Sequence, residues 1–283
     1  MKLLVDSGST KADWIAIDDN GKVLFTTQTL GLNPEVLDKT EIIHRLDEKF
    51  DISHNKNKAT NLFFYGAGCG TDRMKNFLTK VFEEYFTHAT VSVHEDTYAA
   101  VYATTPKAHQ AIVCILGTGS NCSYFDGIVL HQKVQSLGYI AMDDCSGNRF
   151  GRHLLRGFSF NKMPKALAKE FQEEYNLDPD YIKNNLYKLP NPNAYLATFA
   201  KFLIKHKETD FCKKFIYSEM EDFVENYIKQ FDNYKQIPVH FVGSIAFYLV
   251  DELKEVLTKH GITIGNVLRR PIDGLIAYHV MNK

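Results

Sequence analysis

The chain has 283 residues, of which 45% are hydrophobic and 24% charged, and its formal net charge at pH 7 is -1. These values are typical of a globular protein with two ordinary domains or one large one, and the near-neutral charge gives no electrostatic case for binding nucleic acid or an anionic membrane. No apolar run reaches the roughly 20 residues that span a bilayer and no signal-peptide segment opens the chain, so we expect a cytoplasmic protein.

The first predicted element is a hairpin with a polar turn. The apolar run Leu3–Val5 predicts a buried strand that ends at Asp6, and Ala12–Ile17 predicts a second strand after the Gly/Ser/Thr turn at residues 7–10. Glycine lets backbone N–H groups approach an anion closely and hydroxyls add donors, so this turn suits a phosphate group. Asp6 suits Mg²⁺ held through water. An ordinary Gly/Ser hairpin is the alternative interpretation.

The chain up to residue 103 continues as a meander followed by alternating helices and strands. Strands are predicted at Lys22–Thr29, Asn61–Tyr65 and Thr90–Val93, and helices at Pro34–Phe50, Thr71–Tyr85 and Tyr98–Ala103. This order predicts a mixed sheet covered on both faces. Asp96 lies where a helix dipole favours an ionised carboxylate, so it suits a base that accepts a hydroxyl proton, or it merely caps the helix.

The strand–turn–strand pattern begins again about 110 residues later, which indicates duplicated domains rather than a solenoid. Ala111–Leu116 predicts a buried strand, Gly117–Asn121 a second phosphate-type turn, and Cys122–Phe125 and Ile128–Val134 two further strands. Two such turns facing each other across a cleft could grip a polyphosphate from both sides. The polar join at Thr104–Gln110 is the predicted boundary, giving domains at residues 1–106 and 107–283.

The remainder of the chain predicts a helical insertion and a return to the sheet. Residues 160–235 read as amphipathic helices, at Pro164–Tyr175, Pro179–Tyr187, Tyr195–His206 and Phe211–Phe231. A strand at Pro238–Val242, a turn at Gly243-Ser244, a helix at Ile245–His260, a short strand at Ile262–Ile264 and a helix at Ile272–Met281 follow. The turn at Gly243-Ser244 begins a helix, a place where a nucleoside could rest.

Seven short segments, in order along nearly the whole chain, carry a family resemblance. They are Asp6–Lys11, Leu32-Asn33, Glu95-Asp96, Gly117–Ser120, Gly138 with Asp143–Gly147, Gly243-Ser244 and Pro271–Ala277. They resemble the motifs of the N-acetylglucosamine kinase branch of the BadF/BadG/BcrA/BcrD ATPase family, in the sugar kinase, heat-shock protein 70 and actin superfamily. The resemblance implies an α/β protein with two ribonuclease H-like domains, a duplicated actin-like ATPase fold around a cleft, with the helical insertion in the second domain.

The resemblance also implies an activity: ATP-dependent phosphorylation of an N-acetylated, N-acetylglucosamine-like amino sugar at its 6-hydroxyl, with Mg²⁺ and within a homodimer. Asp96 would be the catalytic base, and Asp6 would orient Mg²⁺. Sugar contacts are implied for Asn33, Asp96, Gly138 and Asp143. Nucleotide and phosphate contacts are implied for Gly8, Ser9, Thr10, Lys11, Gly117, Thr118, Gly119, Ser120, Gly243 and Ser244.

Two departures from the family pattern concern ligands. Ser7 and Ser9 stand where the first motif usually has glycine, and their hydroxyls could still face the phosphates. In the sugar loop, Arg149 is one of two residues that replace an aromatic pair. An Arg149 that faced the sugar would favour a carboxylate-bearing substrate such as N-acetylmuramic acid, whereas an Arg149 paired with a nearby acid would not.

Two other functions remain open from the sequence. An ATPase that activates a 2-hydroxyacyl-CoA dehydratase would hold an iron–sulfur cluster between subunits with paired cysteines. The five cysteines here are scattered and form no CxxC pair, which favours free thiols in a reducing compartment. A non-catalytic sugar or nucleotide sensor would bind the same ligands without transferring phosphate.

Overall fold

The computed structural model describes residues 1–8, 11–105, 107 and 109–282. The chain divides into two units, which we call unit 1 (Met1–His109 with Arg270–Lys283) and unit 2 (Gln110–Arg269). Ser9 and Thr10, to which the sequence assigns phosphate contacts, lie outside the described residues. Within the described ranges, no helix combines the length and the apolar character needed to cross a membrane.

Unit 1 contains a five-stranded mixed sheet in the order β3-β2-β1-β4-β5. Its strands are β1 (Lys2–Ser7), β2 (Lys11–Ile17), β3 (Val23–Leu30), β4 (Asn61–Gly66) and β5 (Thr90–Glu95). The central β1 pairs antiparallel with β2 and parallel with β4. Leu3 and Val5 lie in the core on one face of the sheet, and Leu4 lies in the core on the other. Because both faces are covered, β1 is a continuous apolar run.

The helices of unit 1 are α1 (Lys39–Asp47), α2 (Phe50–Ser53), α3 (Asp72–Tyr85), α4 (Asp96–Thr104) and α13 (Ile272–Met281). The helix predicted from Pro34 begins only at α1, because the Asp38 side chain accepts the Glu41 N–H at 2.8 Å and caps it there. Thr71 caps α3 as predicted, accepting the Met74 N–H at 3.3 Å.

The final helix corrects the predicted domain boundary, which placed it in a second domain of residues 107–283. Ile272 and Leu275 of α13 are fully buried and share a core cluster with Leu4, Ile17 and Tyr65 of unit 1. A Cβ added to Gly274 would lie 2.5 Å from the Ala103 carbonyl oxygen, so α13 packs tightly on α4. The face of the unit 1 sheet that carries Leu4 and Ile17 is therefore covered by α4 together with α13, which comes from the C-terminal end of the sequence.

Unit 2 repeats the sheet of unit 1, in the order β10-β9-β6-β7-β8. Its strands are β6 (Ala111–Leu116), β7 (Ser120–Phe125), β8 (Leu130–His131), β9 (Val239–Val242) and β10 (Ile264–Leu268). As with β1, the central β6 pairs antiparallel with the next strand and parallel with β9. The equal order and pairing confirm the predicted duplicated mixed α/β architecture.

The helices of unit 2 include the predicted insertion, which forms α6 to α10 between β8 and β9. Their bounds are α5 (Gly147–Ser159), α6 (Lys165–Glu174), α7 (Pro179–Tyr187), α8 (Pro192–Thr198), α9 (Ala200–Lys205), α10 (Asp210–Asn226), α11 (Ser244–Tyr248) and α12 (Val250–Lys259). One cluster of buried side chains joins the insertion to the sheet, with Phe150, Phe171, Phe223 and Phe241 among its members. The insertion is therefore part of the core of unit 2.

Candidate active site

Three carboxylates of unit 1 lie in one electrostatic environment. Asp6, near the end of β1, is the register partner of Asp13 on β2. Asp96 directly follows β5, whose carboxyl end lies at the same sheet edge because β1, β4 and β5 are parallel. Burial, followed by the charges of Asp96 and Asp13, raises the pKa of Asp6 to about 7, while Lys11 and Arg270 act in the opposite direction. Burial and two neighbouring acids thus disfavour the charged form of Asp6, and a divalent cation bound there would offset this.

Asp96, which the sequence analysis predicts to be the base, is the first residue of α4. Burial, followed by the charge of Glu95, raises the pKa of Asp96 to about 6, and the backbone N–H groups of Thr97 and of Asp96 itself lower it. The Thr97 hydroxyl oxygen is buried and lacks a hydrogen-bond partner within the described part of the chain. A buried polar atom without a partner beside Asp96 indicates a place that a polar ligand could satisfy.

The loop that carries Asn33 is fastened to the end of β1. The Ser7 hydroxyl is fully buried and accepts the Leu32 N–H at 3.0 Å. The suggestion that this hydroxyl faces phosphate is therefore wrong, because it holds the loop instead. Asn33 Oδ1 accepts the Glu35 N–H at 2.9 Å. A Cβ on Gly68 would lie 2.0 Å from Asn33 Oδ1, so the turn after β4 packs directly against this side chain.

In the first predicted phosphate turn, the structure describes Ser7, Gly8 and Lys11. The Gly8 N–H donates to the Lys11 carbonyl oxygen at 3.0 Å and closes the hairpin. Lys11 Nζ lies 2.9 Å from Asp13 Oδ2, with its side chain 55% exposed. Lys11 therefore pairs with the acid that faces Asp6, and its predicted contact with phosphate stays a prediction.

The second phosphate turn, in unit 2, is closed by the Gly117 N–H, which donates to the Gly119 carbonyl oxygen at 3.0 Å. The turn is fastened to the first turn of α5. There, the Gly147 N–H donates to the Gly117 oxygen at 2.8 Å, and the Asn148 N–H donates to the Thr118 oxygen at 3.0 Å. The Ser120 hydroxyl is buried without a hydrogen-bond partner among the described residues. The turn is thus rigidly positioned and keeps an unused polar atom.

Asp143, predicted to bind the sugar, lies against this same turn. Its Oδ2 accepts a hydrogen bond from Asn148 Nδ2 at 2.9 Å, and a Cβ on Gly119 would lie 2.7 Å from that oxygen. Asp143 and Cys145 both have positive φ, at 66° and 56°. Such backbone costs on the order of 1 kcal/mol for each non-glycine residue and clusters at functional sites. Gly138, with φ 80°, forms the turn that begins this loop.

Glu219 of α10, which lies in none of the sequence motifs, holds the loop at residues 138–147, for which sugar contacts are predicted. It is 2% exposed and accepts the Cys145 N–H at 3.0 Å and Arg149 Nε at 2.9 Å, with His153 Nε2 on the same oxygen as Arg149. Burial alone would raise the pKa of Glu219, but the hydrogen bonds from His153, Cys145 and Arg149 outweigh it and hold the pKa below its usual value.

The pairing of Arg149 removes the case for an acidic sugar that rested on it. Arg149 pairs with Glu219, and its Nη2 also lies 3.8 Å from Asp144 Oδ1.

A signal for Glu219 was present in the sequence: it continues the apolar face of α10 formed by Cys212, Ile216, Met220 and Phe223. An acid on an apolar helix face is almost always paired with a cation.

A pocket of about 450 Å³ in unit 2 adjoins the second phosphate turn. Gly243, with φ 125°, lets the end of β9 approach the end of β6 closely, because a Cβ there would lie 2.2 Å from the Leu116 carbonyl oxygen. Predicted residues Gly117, Thr118 and Ser244 line the pocket, together with residues for which no nucleotide contact was predicted: Gly147, Ala197, Ala200, Lys201, Ile204, Ile245, Tyr248 and Arg269. The helical insertion thus supplies one wall.

The fold and the positions of these groups define the class: a duplicated actin-like ATPase fold of the kind found in sugar kinases. No family model and no curated protein matches the chain. Among solved structures, a candidate N-acetylglucosamine kinase from Porphyromonas gingivalis is 34% identical, covers 100% of this chain and 99% of its own, and superposes with a TM-score of 0.93. The chain therefore belongs to the N-acetylglucosamine kinase family that this relative represents.

More distant structures share the fold. A candidate N-acetylglucosamine kinase from Chromobacterium violaceum is 15% identical, with a TM-score of 0.70 and 98% of both chains covered. A ROK family glucokinase from Streptomyces griseus, solved with glucose and AMPPNP, is 14% identical, with a TM-score of 0.58 over 99% of this chain and 97% of its own.

Proposed function

We propose that this protein transfers the γ-phosphoryl group of ATP to the 6-hydroxyl of N-acetylglucosamine or a closely related N-acetylated amino sugar. The observation that carries the proposal is the full-length similarity to a candidate N-acetylglucosamine kinase. Asp96 begins α4 directly after β5, and the motif resemblance implies the base at this residue. The similarity in fold to a glucokinase solved with AMPPNP supports ATP as the phosphoryl donor.

Asp96 would act on the acceptor hydroxyl. Its carboxylate takes the hydroxyl proton while the acceptor oxygen forms a bond to the γ-phosphorus and the bond from that phosphorus to the bridging oxygen of ADP breaks. A pKa raised to about 6 makes this carboxylate a better proton acceptor than an ordinary aspartate, yet it is mostly ionised at neutral pH. Both properties are required of a base that works near pH 7.

The pocket of about 450 Å³ in unit 2 is the proposed nucleotide site. Ile204 and Tyr248 offer apolar surface to a base, and the second phosphate turn supplies backbone groups to the phosphates. Lys201 and Arg269 bring positive charge, and within the described ranges neither forms an ion pair with an acid of the chain. Arg269 lies over Tyr248, 5.5 Å from the ring centroid, and is thereby positioned at the pocket.

Asp6 is the proposed magnesium-orienting residue, acting through water, with Asp13 and Asp96 contributing to the negative field. Mg²⁺, when bound with ATP, neutralises charge on the phosphates. The protein's own contribution is to keep the carboxylates in place: Asp13 is held by Lys11 at 2.9 Å and by Gln28 Nε2.

For the acceptor sugar, the proposed contacts are Asn33 and Asp96 in unit 1, and Gly138 and Asp143 in unit 2. Because Asn33 uses Oδ1 to hold its own turn, its Nδ2 group is the part that can donate to a sugar hydroxyl. Asp143 uses one oxygen for Asn148 and lies at the second phosphate turn. We expect it to bind an acceptor hydroxyl near the transferred phosphoryl group.

A coupled ADP-release assay with Mg-ATP and a panel of neutral amino sugars, acidic amino sugars and plain hexoses tests the proposal. We expect release with N-acetylglucosamine or a near relative. Asp96→Asn should lower kcat by about 100- to 10,000-fold, the usual contribution of a general base, with nucleotide affinity kept. Asp72→Asn is the matched control, since Asp72 opens α3 in the same unit with its side chain 94% exposed.

Other outcomes would contradict the proposal in distinguishable ways. ADP release without any sugar would indicate an ATPase, and nucleotide binding without turnover on any acceptor would indicate a sensor. The dehydratase-activator alternative has little structural support, because all five cysteines, each within the described residues, are buried free thiols. Near-normal turnover by Asp96→Asn would contradict the role of Asp96 alone.

A further inference from the structure

A second pocket of unit 2, of about 530 Å³, lies between α5, α7 and the loop that follows β8. Its wall is mainly apolar, with Leu155 of α5, Ile182 and Leu186 of α7, and Leu196 of α8. Tyr139 and Ile140 close it from the loop, and the Ile140 side chain is 75% exposed. Its size is in the range of small-molecule sites, and the proposed transfer reaction makes no use of it.

Two guanidinium groups reach this pocket without acidic partners. Arg152 and Arg156 lie one turn apart on α5, and both line it. Arg152 Nη2 donates to the Tyr139 carbonyl oxygen at 2.6 Å, and the Arg156 guanidinium lies 5.1 Å from the Phe160 ring centroid. In the described portion of the chain, no carboxylate lies within ion-pair distance of either group, and no acid lines the pocket.

Arg149, on the same helix, has the acidic partners that Arg152 and Arg156 lack among the described residues. Arg149 has Glu219 at 2.9 Å and Asp144 at 3.8 Å. Arg152 and Arg156 have hydrogen-bond or ring contacts only, so the pocket combines two uncompensated positive charges with an apolar wall. Guanidinium groups pair with carboxylates through two parallel N–H donors, and apolar pockets use a few such groups to orient a ligand.

We propose that this pocket binds an organic anion of a defined kind: a carboxylate attached to an alkyl or aromatic body. The carboxylate would pair with Arg152 and Arg156, and the apolar body would lie on Leu155, Ile182 and Leu186. The site is independent of the proposed kinase reaction. It borders the sugar loop through Tyr139, and it borders the nucleotide pocket through α8, where Leu196 lines one pocket and Ala197 the other.

Isothermal titration calorimetry on the full chain with octanoate tests the site directly. We expect one octanoate to bind per chain, and acetate, which lacks the apolar body, and octylamine, which has the opposite charge, to bind at least about tenfold more weakly. Arg156→Gln should weaken octanoate binding by about tenfold, because a charge-assisted hydrogen bond is lost while the chain keeps its length. Lys254→Gln, the same charge change on the exposed face of α12, should leave the affinity unchanged.

A second variant tests the apolar wall of the pocket. Ile182→Glu places an acid on the α7 wall, where it would pair with the arginines and repel the ligand, so octanoate binding should be lost while circular dichroism stays native. Equal affinity for octanoate and octylamine, or an Arg156→Gln variant that binds like the parent, would overturn the proposal. A dimer in light scattering that Ile182→Glu dissociates would also overturn it, because the face would then be a subunit interface.

Discussion

At the scale of single residues, the ionisation of Asp96 should be visible in the pH dependence of the reaction. A base acts only in its ionised form, so kcat/KM should rise as the pH passes through about 6. Initial rates at low sugar concentration, measured between about pH 5 and pH 8, give this profile for the free enzyme. A flat profile over that range would contradict the assignment of Asp96 as the base.

The neighbouring Glu95 offers a check on the cause of this shift. Its negative charge raises the pKa of Asp96, second only to burial. Glu95→Gln removes that charge, so the midpoint of the kcat/KM profile should move to lower pH. Asp72→Asn, on the exposed start of α3, should leave the midpoint in place. A midpoint that does not move in Glu95→Gln would mean that another group titrates.

Glu219 should be important for stability. Glu219→Gln removes the negative charge that Arg149 and His153 share and replaces one acceptor oxygen by an NH2 donor. We therefore expect a loss of about 2 kcal/mol or more in the free energy of unfolding, measured with urea at neutral pH. Because the pKa of Glu219 is lowered in the folded state, its contribution is present above the unfolded value of 4.5 and is lost as the pH falls through the folded value.

Glu221→Gln on the same helix is the matched control for this loss. Glu221 pairs with His260 and its side chain is 40% exposed, so removing its charge should cost no more than about 1 kcal/mol. Equal losses in the two variants would show that burial of the Glu219 network adds nothing. A Glu219→Gln variant of unchanged stability that binds sugar weakly would show that the network only positions the loop.

The sequence predicted a candidate-site residue where its position follows from a local motif. It did not do so where the role of the residue depends on a hydrogen-bond partner far away along the chain. Asp96 and the turn at Gly117 follow from local pattern, because strand, turn and helix propensities are local. The role of Arg149 depended on Glu219, 70 residues away along the chain. The buried role of Ser7 depended on Leu32, 25 residues away. No local pattern contains such pairings.

At the scale of elements, the packing of α5 on α8 should limit what Gly151 can be replaced by. A Cβ there would lie 1.9 Å from the Leu196 carbonyl oxygen. Alanine in place of glycine normally favours a helix, but here the clash should outweigh the propensity and cost about 2 kcal/mol. Because Ala197 of α8 lines the proposed nucleotide pocket, Gly151→Ala should also weaken nucleotide binding, measured by calorimetry with AMPPNP.

Ser159→Ala, a small change at an exposed position of the same helix, is the control for this prediction and should shift stability by no more than about 0.5 kcal/mol. A Gly151→Ala variant that is more stable than the parent would show that α8 moves away without cost. A variant that is less stable but binds AMPPNP normally would separate the helix packing from the pocket.

Element types could be predicted from periodicity, but several bounds could not. The strand predicted at Ile128–Val134 shrinks to Leu130–His131, because Asp126 accepts the N–H groups of Ile128 and Val129, each at 2.8 Å, and turns the chain there. The helix predicted at Ile245–His260 is interrupted at Leu249, which has non-helical φ and ψ of -112° and 29°. Hydrophobic spacing continues through such a break, so the pattern alone does not reveal it.

At the scale of the whole molecule, unit 1 takes strands from the beginning of the chain and a core helix from its end, whereas unit 2 is one continuous segment. Residues Gln110–Arg269, made alone, should therefore fold cooperatively and retain the proposed nucleotide pocket. Met1–His109 alone would leave Leu4, Ile17 and Tyr65 without the α13 side chains that bury them. We expect this fragment to show no cooperative unfolding transition.

Joining Arg270–Lys283 to the Met1–His109 fragment through a flexible Gly/Ser linker should restore that transition. The same fusion with Leu275→Ala is the matched control, because the cavity left in the core should lower the free energy of unfolding by about 2 to 5 kcal/mol. Urea denaturation followed by circular dichroism measures the unfolding of Met1–His109, of the fusion and of its Leu275→Ala variant. If Met1–His109 alone unfolds as cooperatively as the fusion, then α13 adds no stability to unit 1, and the predicted boundary would be adequate for folding even though it misplaces the helix.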